Sequence, residues 1–311
     1  MTPVLIALAF AFAWTIGSHY TGACMGMPYA LGAVSARVAL GLMAPLALLG
    51  AATASSKVAA TVGHKLVSTA PTRLGWIVIV AVAFAVTAIY NRIRIPTSTI
   101  QILVGAVVGV AVGASAGVHW RTIASLVDVW VAAPPVAAAI GFVGGKALAS
   151  VTNVGAGLLA VGCLASYAMG ANDVANASGA LVGPHVLSAN AAGLLCGVGL
   201  AAGVLITGRP LLDRVAFDIV TVDRATATAA QFVQALVILV AVSFGYFTSM
   251  NQALVGGMAG AGLARGRHTV HAKTLVGILR GWVTGPPTAF ALALVAALVV
   301  RWVSGAGSLA Q

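Results

Sequence analysis

The sequence predicts an all-α, polytopic membrane protein built from two inverted repeats of about five spans each, broken or re-entrant helices among them. Three observations carry that prediction. First, 60% of the 311 residues are hydrophobic and 7% are charged, with a mean hydropathy of +1.05; a soluble domain of this composition lacks the polar surface to face water. Second, uncharged runs long enough to cross a hydrocarbon layer of about 30 Å recur between short connectors. Third, the second half repeats the plan of the first in matched order.

Residues 3–23 carry no charge and no basic leader, so they read as a first span rather than a cleaved signal. Arg37 stands in a short connector, and 36–54 form a second span. A polar loop with Lys57, His64, Lys65 and Arg73 leads to a third span near 74–90. Arg92 and Arg94 mark an interface, and Pro96 starts a new segment. Residues 97–115 are glycine-spaced and open with four polar side chains, which suits a thin span or a re-entrant pair of half-helices. A fifth span covers 123–145. The 37 glycines fit close helix packing in a bilayer.

An offset of 153 pairs Gly17 with Gly170, Gly26 with Gly179, Ser35 with Ser188 and Gly50 with Gly203. An offset of 151 pairs Thr97 with Thr248, Ser98 with Ser249, Gln101 with Gln252 and Gly105 with Gly256. An offset of 152 pairs Trp130 with Trp282 and Pro134-Pro135 with Pro286-Pro287. The chain therefore divides into repeats at 1–149 and 150–311. An odd number of crossings per repeat turns the second repeat upside down.

Alternating crossings collect Arg37, Arg92, Arg94, Lys146, Arg209, Arg214, Arg224, Arg265, Arg267 and Lys273 on one side. The other side holds Lys57, Lys65, Arg73, Arg121 and Arg301. Ten against five places the first side in the cytoplasm and the N-terminus outside, in a cell membrane. The 207–226 connector, with Asp213, Asp218 and Asp223 among its charges, is then the main cytoplasmic loop.

The net charge of +11 comes from single basic residues at span ends, without a basic run interleaved with aromatics, so nucleic acid is not a partner. Cys24, Cys163 and Cys196 are isolated in apolar segments and read as small buried residues. His119, His185, His268 and His271 lie in connectors and read as solvated. Arg280, at the repeat position of Asp128, reads as snorkelling to the interface.

Polar residues interrupt the apolar pattern at repeat-related places. Ser18, His19, Tyr20 and Thr21 lie in the first helix of one repeat, and Asn172, Asp173 and Asn176 in the first helix of the other. Thr97, Ser98, Thr99 and Gln101 open one glycine-rich segment; Thr248, Ser249, Asn251 and Gln252 open the other. A carboxylate at membrane depth is costly and turns toward a protein interior. Hydroxyls, carboxamides and helix N-terminal N–H groups suit an oxyanion, whereas carboxamide oxygens and one carboxylate suit a small cation or a proton. A lone Ser or Thr can instead bond its own helix. An intramembrane enzyme would need nucleophile–base or metal-ligand spacing, which is missing here; a passive anion channel is the other alternative.

The run Gly170-Ala171-Asn172-Asp173-Val174-Ala175-Asn176-Ala177 matches the signature of the inorganic phosphate transporter (PiT) family, and Pro96-Thr97-Ser98-Thr99-Ile100-Gln101 resembles its second motif. The resemblance covers nearly the whole chain. It implies secondary-active uptake of a tetrahedral oxyanion by alternating access, driven by Na⁺ or H⁺ symport, with no cofactor; a homodimer is one assembly to test. The substrate site expected from it is Ser98, Thr99, Asn176, Thr248, Ser249, Asn172 and Thr97. The coupling-ion set is Asp173, His19, Gln101, Asn251 and Gln252, any Na⁺ lying near Asp173 and Asn172. The family carries Asn-Asp in both repeats, but here His19-Tyr20 replaces the first pair, and the following MGMPYALGAV resembles the sulfate-permease branch. Phosphate is the expected substrate and sulfate the runner-up. Loss of one acidic ligand favours H⁺ over Na⁺ as coupling ion.

Overall fold

The computed structural model describes residues 1–93, 97–149, 151, 155–212, 223–266, 272–304 and 309–310, the side chains at 272–275, 277 and 278 excepted. Arg94, Pro96, Asp213, Arg214, Asp218, Arg267, His268 and His271 lie outside the described residues, as does the side chain of Lys273. The first repeat runs α1 (Thr2–His19), a π-helical turn (Gly22–Gly26), α2 (Met27–Ala30), α3 (Ala36–Ala54), α4 (Ser56–His64), α5 (Arg73–Ile93), α6 (Thr99–Gly113) and α7 (Trp120–Ala147). The second runs α8 (Gly155–Asp173), α9 (Ala175–Val182), α10 (Ala189–Thr207), α11 (Arg209–Leu212), α12 (Arg224–Ser243), α13 (Met250–Arg265) and α14 (Ala272–Ser304).

Among the described residues, eight helical stretches are long and apolar enough to cross a membrane: 2–30, 36–54, 73–93, 120–147, 155–182, 189–207, 224–243 and 279–304. α6 and α13, of 15 and 16 residues, are about 22–24 Å long and fall short of a bilayer of about 30 Å. So 97–115 holds one continuous helix, shorter than a full span and with a buried N-terminus, rather than a pair of half-helices. The first span outruns its expected end at residue 23 and continues to Ala30 through the π turn. The expected polar loop after α3 is in part the helix α4, which buries Val58, Ala59 and Val62; flanking Lys57, His64 and Lys65 masked that short apolar face.

The packing is pseudo-symmetric, and it fixes orientation. Ser35 caps α3 and Ser188 caps α10 through the same Ser Oγ to backbone N–H bond, 3.4 Å in each. Gly17 of α1 lies against the Leu200 backbone of α10, and its repeat mate Gly170 of α8 against the Ala47 backbone of α3. A Cβ at either glycine would overlap a carbonyl, so both helix pairs approach closely only because no side chain is there. Along α3 and α10 the register runs in opposite senses, Leu48 and Ala51 against Gly197 but Ala51 and Ser55 against Gly193. Equivalent helices of the two repeats are thus antiparallel: the repeats are inverted. The short helices obey the same exchange, Gly105 of α6 resting on Pro286 of α14 and Gly256 of α13 on Pro134 of α7.

Two faces follow from loop contacts. On one, Arg224 Nε and Nη2 donate to the Leu31 carbonyl at 3.1 and 3.0 Å, and Arg265 pairs with Asp223 at 2.6 Å. On the other, Lys57 Nζ donates to the Ser243 carbonyl at 3.0 Å and Arg301 to Ser115 Oγ at 2.9 Å. These agree with the alternation of charge in the sequence. His119 and His185 do more than meet solvent on the Lys57 face, His119 Nδ1 lying 3.2 Å from the Lys65 carbonyl and His185 stacking on His64. Arg280 and Asp128 are both exposed.

Candidate functional site

Serine at an N-cap accepts a hydrogen bond from the first helical turn, and that need places Ser98 and Ser249. Ser98 Oγ accepts from Gln101 N at 3.4 Å, and Ser249 Oγ from Gln252 N at 3.3 Å. Each hydroxyl keeps its own proton for another acceptor. The two capped ends meet in the protein interior, where Gln101 Nε2 donates to Gln252 Oε1 at 3.3 Å. Two helix N-termini, from opposite repeats, therefore point their free N–H groups at one buried region.

The junction of α8 and α9 supplies the rest. The Asn172 carboxamide grips the Thr248 peptide twice, Nδ2 donating to its carbonyl at 2.9 Å and Oδ1 accepting its N–H at 3.3 Å. Asn172 Nδ2 also donates to Asp173 Oδ2 at 3.0 Å. One turn on, Asn176 Nδ2 donates to Thr99 Oγ1 at 3.1 Å, and the Tyr20 hydroxyl meets the same Thr99 oxygen at 3.0 Å. On the other side Asn251 Nδ2 donates to the Thr97 carbonyl at 2.9 Å and faces His19 Nε2 at 3.3 Å. His19 Nδ1 bonds Asn91 Oδ1, so its partners fix the tautomer with the proton on Nδ1.

All the expected site residues thus fall in one cluster: Thr97, Ser98, Thr99, Gln101, Asn172, Asp173, Asn176, Thr248, Ser249, Asn251 and Gln252 are buried, and His19 is half-buried. Ser18 and Thr21 do not join it; Ser18 bonds the Thr15 carbonyl, and Thr21 those of Ser18 and Gly208. The sequence reading missed Asn91, a polar residue at a span end beside Arg92, and Gln231 and Gln234, carboxamides inside an apolar run. The last two were a visible signal.

The chemistry of the cluster lies in its unpaired atoms. Asp173 Oδ1, Asn176 Oδ1 and Gln101 Oε1 accept no hydrogen bond, and the Thr97 and Thr248 hydroxyls are unpartnered. Among the described residues the one ion pair is Arg265–Asp223, so Asp173, fully buried, has no basic side chain against it. A buried carboxylate without a counter-charge is costly. The region therefore combines proton donors for an anion with bare oxygens for a proton-bearing or cationic partner. Among the described residues no three His, Cys, Asp or Glu side chains gather as a metal-ligand set.

Residues 16–153 and 147–293 each match the model of the Phosphate transporter family. The chain belongs to that family. The double match within this phosphate-transporter-family chain agrees with the duplication seen in its packing. It is a transporter, not an enzyme. It is 29% identical over 289 residues to a probable low-affinity inorganic phosphate transporter of Mycobacterium tuberculosis, covering 84% of this chain and 68% of the relative. It is 27% identical over 297 residues to the sulfate permease CysP of Bacillus subtilis, covering 91% and 84%. A solved structure described as the sodium-dependent phosphate transporter superposes with a TM-score of 0.87 at 23% identity, over 97% of this chain and 99% of that one. That last likeness establishes the shared fold of this family member.

Proposed function

We propose that the chain, as repeats 1–149 and 150–311, imports inorganic phosphate by alternating access, with H⁺ as the coupling ion and the Arg224 face in the cytoplasm. The observation that carries phosphate over sulfate is the pair of buried amide acceptors lacking donors, Asn176 Oδ1 and Gln101 Oε1. Hydrogen phosphate brings its own O–H to such an atom, whereas fully ionised sulfate brings only lone pairs. Ser98, Thr99, Thr97, Thr248 and Ser249 offer hydroxyls, and α6 and α13 their first-turn N–H groups, to the remaining oxyanion edges.

Asp173 loads the coupling ion. Protonation removes the unpaired charge and turns an acceptor into a donor, which raises anion affinity at the moment the proton is bound. In the first repeat, Tyr20 stands where the family carries Asp, and His19 has both ring nitrogens engaged by Asn91 and Asn251. This supports one coupling carboxylate rather than two. Sodium is a second reading, favoured by the same bare oxygens, because a hard cation seeks oxygen ligands. The positive-inside asymmetry supports the orientation with the N-terminus outside.

Radiolabelled phosphate and sulfate uptake into proteoliposomes, with proton and sodium gradients imposed separately, tests this reading. Phosphate accumulation driven by an inward proton gradient in choline buffer is expected. Accumulation of sulfate in preference to phosphate would overturn the substrate, and accumulation only with sodium would overturn the ion.

A further inference from the structure

On the Lys57 face, away from the anion cluster, α3, α4, α8 and α12 enclose a cavity of about 240 Å³, with Thr53, Ser56, Lys57, Tyr167, Leu239 and Ser243 among its walls. That is below the roughly 300–1,000 Å³ of pockets that swallow a whole small molecule, and Thr53, Lys57 and Ser243 are exposed, so it is an open niche. Thr53 Oγ1 donates to the Leu49 carbonyl at 2.7 Å, which leaves the Tyr167 hydroxyl, 3.0 Å away, to donate to Thr53. Lys57 Nζ donates to the Ser243 carbonyl at 3.0 Å and keeps two further protons. The Ser55 hydroxyl donates to the Ala51 carbonyl at 2.6 Å and does not cap α4, whose first residues, Ser56 and Lys57, line the niche. An uncapped helix N-terminus favours an anion. Among the described residues the single ion pair is Arg265–Asp223, so Lys57 has no acid against it, and no acidic side chain lines the cavity. Spare donors and an unpaired positive charge converge there.

The depth of the niche follows from the repeat. Trp14 Nε1 donates to Thr207 Oγ1 at 2.9 Å, and Thr207 Oγ1 to the Gly203 carbonyl at 3.0 Å. Trp14 is the mate of Tyr167 at an offset of 153, and Thr207 and Arg209 stand within one residue of the mates of Thr53 and Lys57. An aromatic tied to a back-bonded threonine at a helix end, followed by a cation, therefore marks both membrane faces. Amphipathic rings and basic side chains settle at the level of lipid headgroups. From the niche toward the middle of the membrane, α12 presents Leu236 and Val240, 36% and 50% exposed, on the face that carries Leu239 and Ser243. That stripe suits an acyl chain, and a free ion would leave it bare.

We propose that Lys57, Ser56 and Tyr167 hold the phosphate group of an anionic phospholipid in the leaflet at the Lys57 face, its acyl chain following Leu239 and Leu236. Lys57 supplies charge and two N–H donors. The Ser56 hydroxyl adds a third, and the Tyr167 hydroxyl a fourth by turning from Thr53. The bound lipid ties α4 to α8 and α12 across the niche.

Native mass spectrometry of the purified protein, titrated in detergent with dioleoyl phosphatidylglycerol or dioleoyl phosphatidylcholine, tests this. The parent is expected to retain phosphatidylglycerol in preference to phosphatidylcholine. Lys57→Met should weaken phosphatidylglycerol binding about 10- to 150-fold, the loss of a hydrogen bond to a charged group, and Tyr167→Phe about 2- to 10-fold. Lys57→Arg should retain binding, which separates loss of charge from loss of fold. Arg121→Gln, which removes another exposed cation of the same face, should bind as the parent does. Parent-like binding by Lys57→Met, or an equal loss in Arg121→Gln, would overturn the site in favour of general attraction to a basic face. Displacement of the lipid by millimolar inorganic phosphate would overturn the lipid and give the niche to the free ion.

Discussion

Asn172 holds the Thr248 peptide by both its N–H and its carbonyl, at 3.3 and 2.9 Å, tying the end of α8 to the start of α13 within the second repeat. No other carboxamide in the cluster closes such a two-point grip on a backbone. Replacing Asn172 with Leu keeps the volume and strands both Thr248 groups, which should cost about 1–3 kcal/mol for each orphan. Thermal denaturation in detergent should show a clear loss in midpoint, and phosphate binding should weaken with it. An unchanged midpoint would mean that α13 is positioned by its other contacts.

The capping serines separate structure from binding. Alanine and glycine at Ser98 or Ser249 both remove the capping hydroxyl, but glycine is tolerated at an N-cap at a helix-stability cost of only a few tenths of a kcal/mol, against about 0.5–2 kcal/mol for alanine. Ser98→Gly and Ser249→Gly should therefore melt close to the parent yet bind phosphate more weakly, by about 10- to 150-fold for loss of a hydrogen bond to a charged group. Direct phosphate titration measures this. Parent affinity in both glycine variants would reduce the serines to caps.

Tyr20 makes a narrower claim. Its hydroxyl shares Thr99 Oγ1 with Asn176 Nδ2, so Tyr20→Phe removes one of two bonds and leaves the buried ring in place. Phosphate affinity should fall modestly, about 2- to 10-fold for a net contribution near 1 kcal/mol. A loss as large as that from the serine variants would assign Tyr20 a direct contact with substrate.

On the Lys57 face His64 and His185 stack with ring centroids 5.3 Å apart. Burial, and then the charge of His185, lower the His64 pKa below 6.5. The sign follows from linkage: an opened state binds more protons than the closed one, so this contact is secure above the ordinary histidine range and weakens as pH falls through it. A carbon-13 NMR titration of labelled histidine should show His64 titrating low. Replacing His185 with Ala should return it only part of the way, because burial is the larger cause.

Much of this was legible in the sequence, for reasons the individual residues make plain. Repeat-paired Ser35 and Ser188 announced two helix starts, and paired glycines announced the close crossings, because both roles admit few residue types. Polar residues at membrane depth flagged the cluster because bilayers exclude them. α4 was hidden because nine residues flanked by charge give too little periodicity. The π turn was hidden because its spare carbonyls are met by Gln231, more than two hundred residues away. For the same reason nothing near Asn91 in the sequence points to its bond with His19. Distant partners leave no local pattern.

The central claim is that Asp173 couples the anion to its driving ion, and Asp173→Asn tests it most directly. The carboxamide keeps the shape of the side chain and removes the group that gains and loses a proton. With a proton gradient imposed on proteoliposomes, the account predicts that Asp173→Asn abolishes phosphate accumulation against a concentration gradient while exchange of internal for external phosphate continues. Accumulation at the parent level by Asp173→Asn would contradict it.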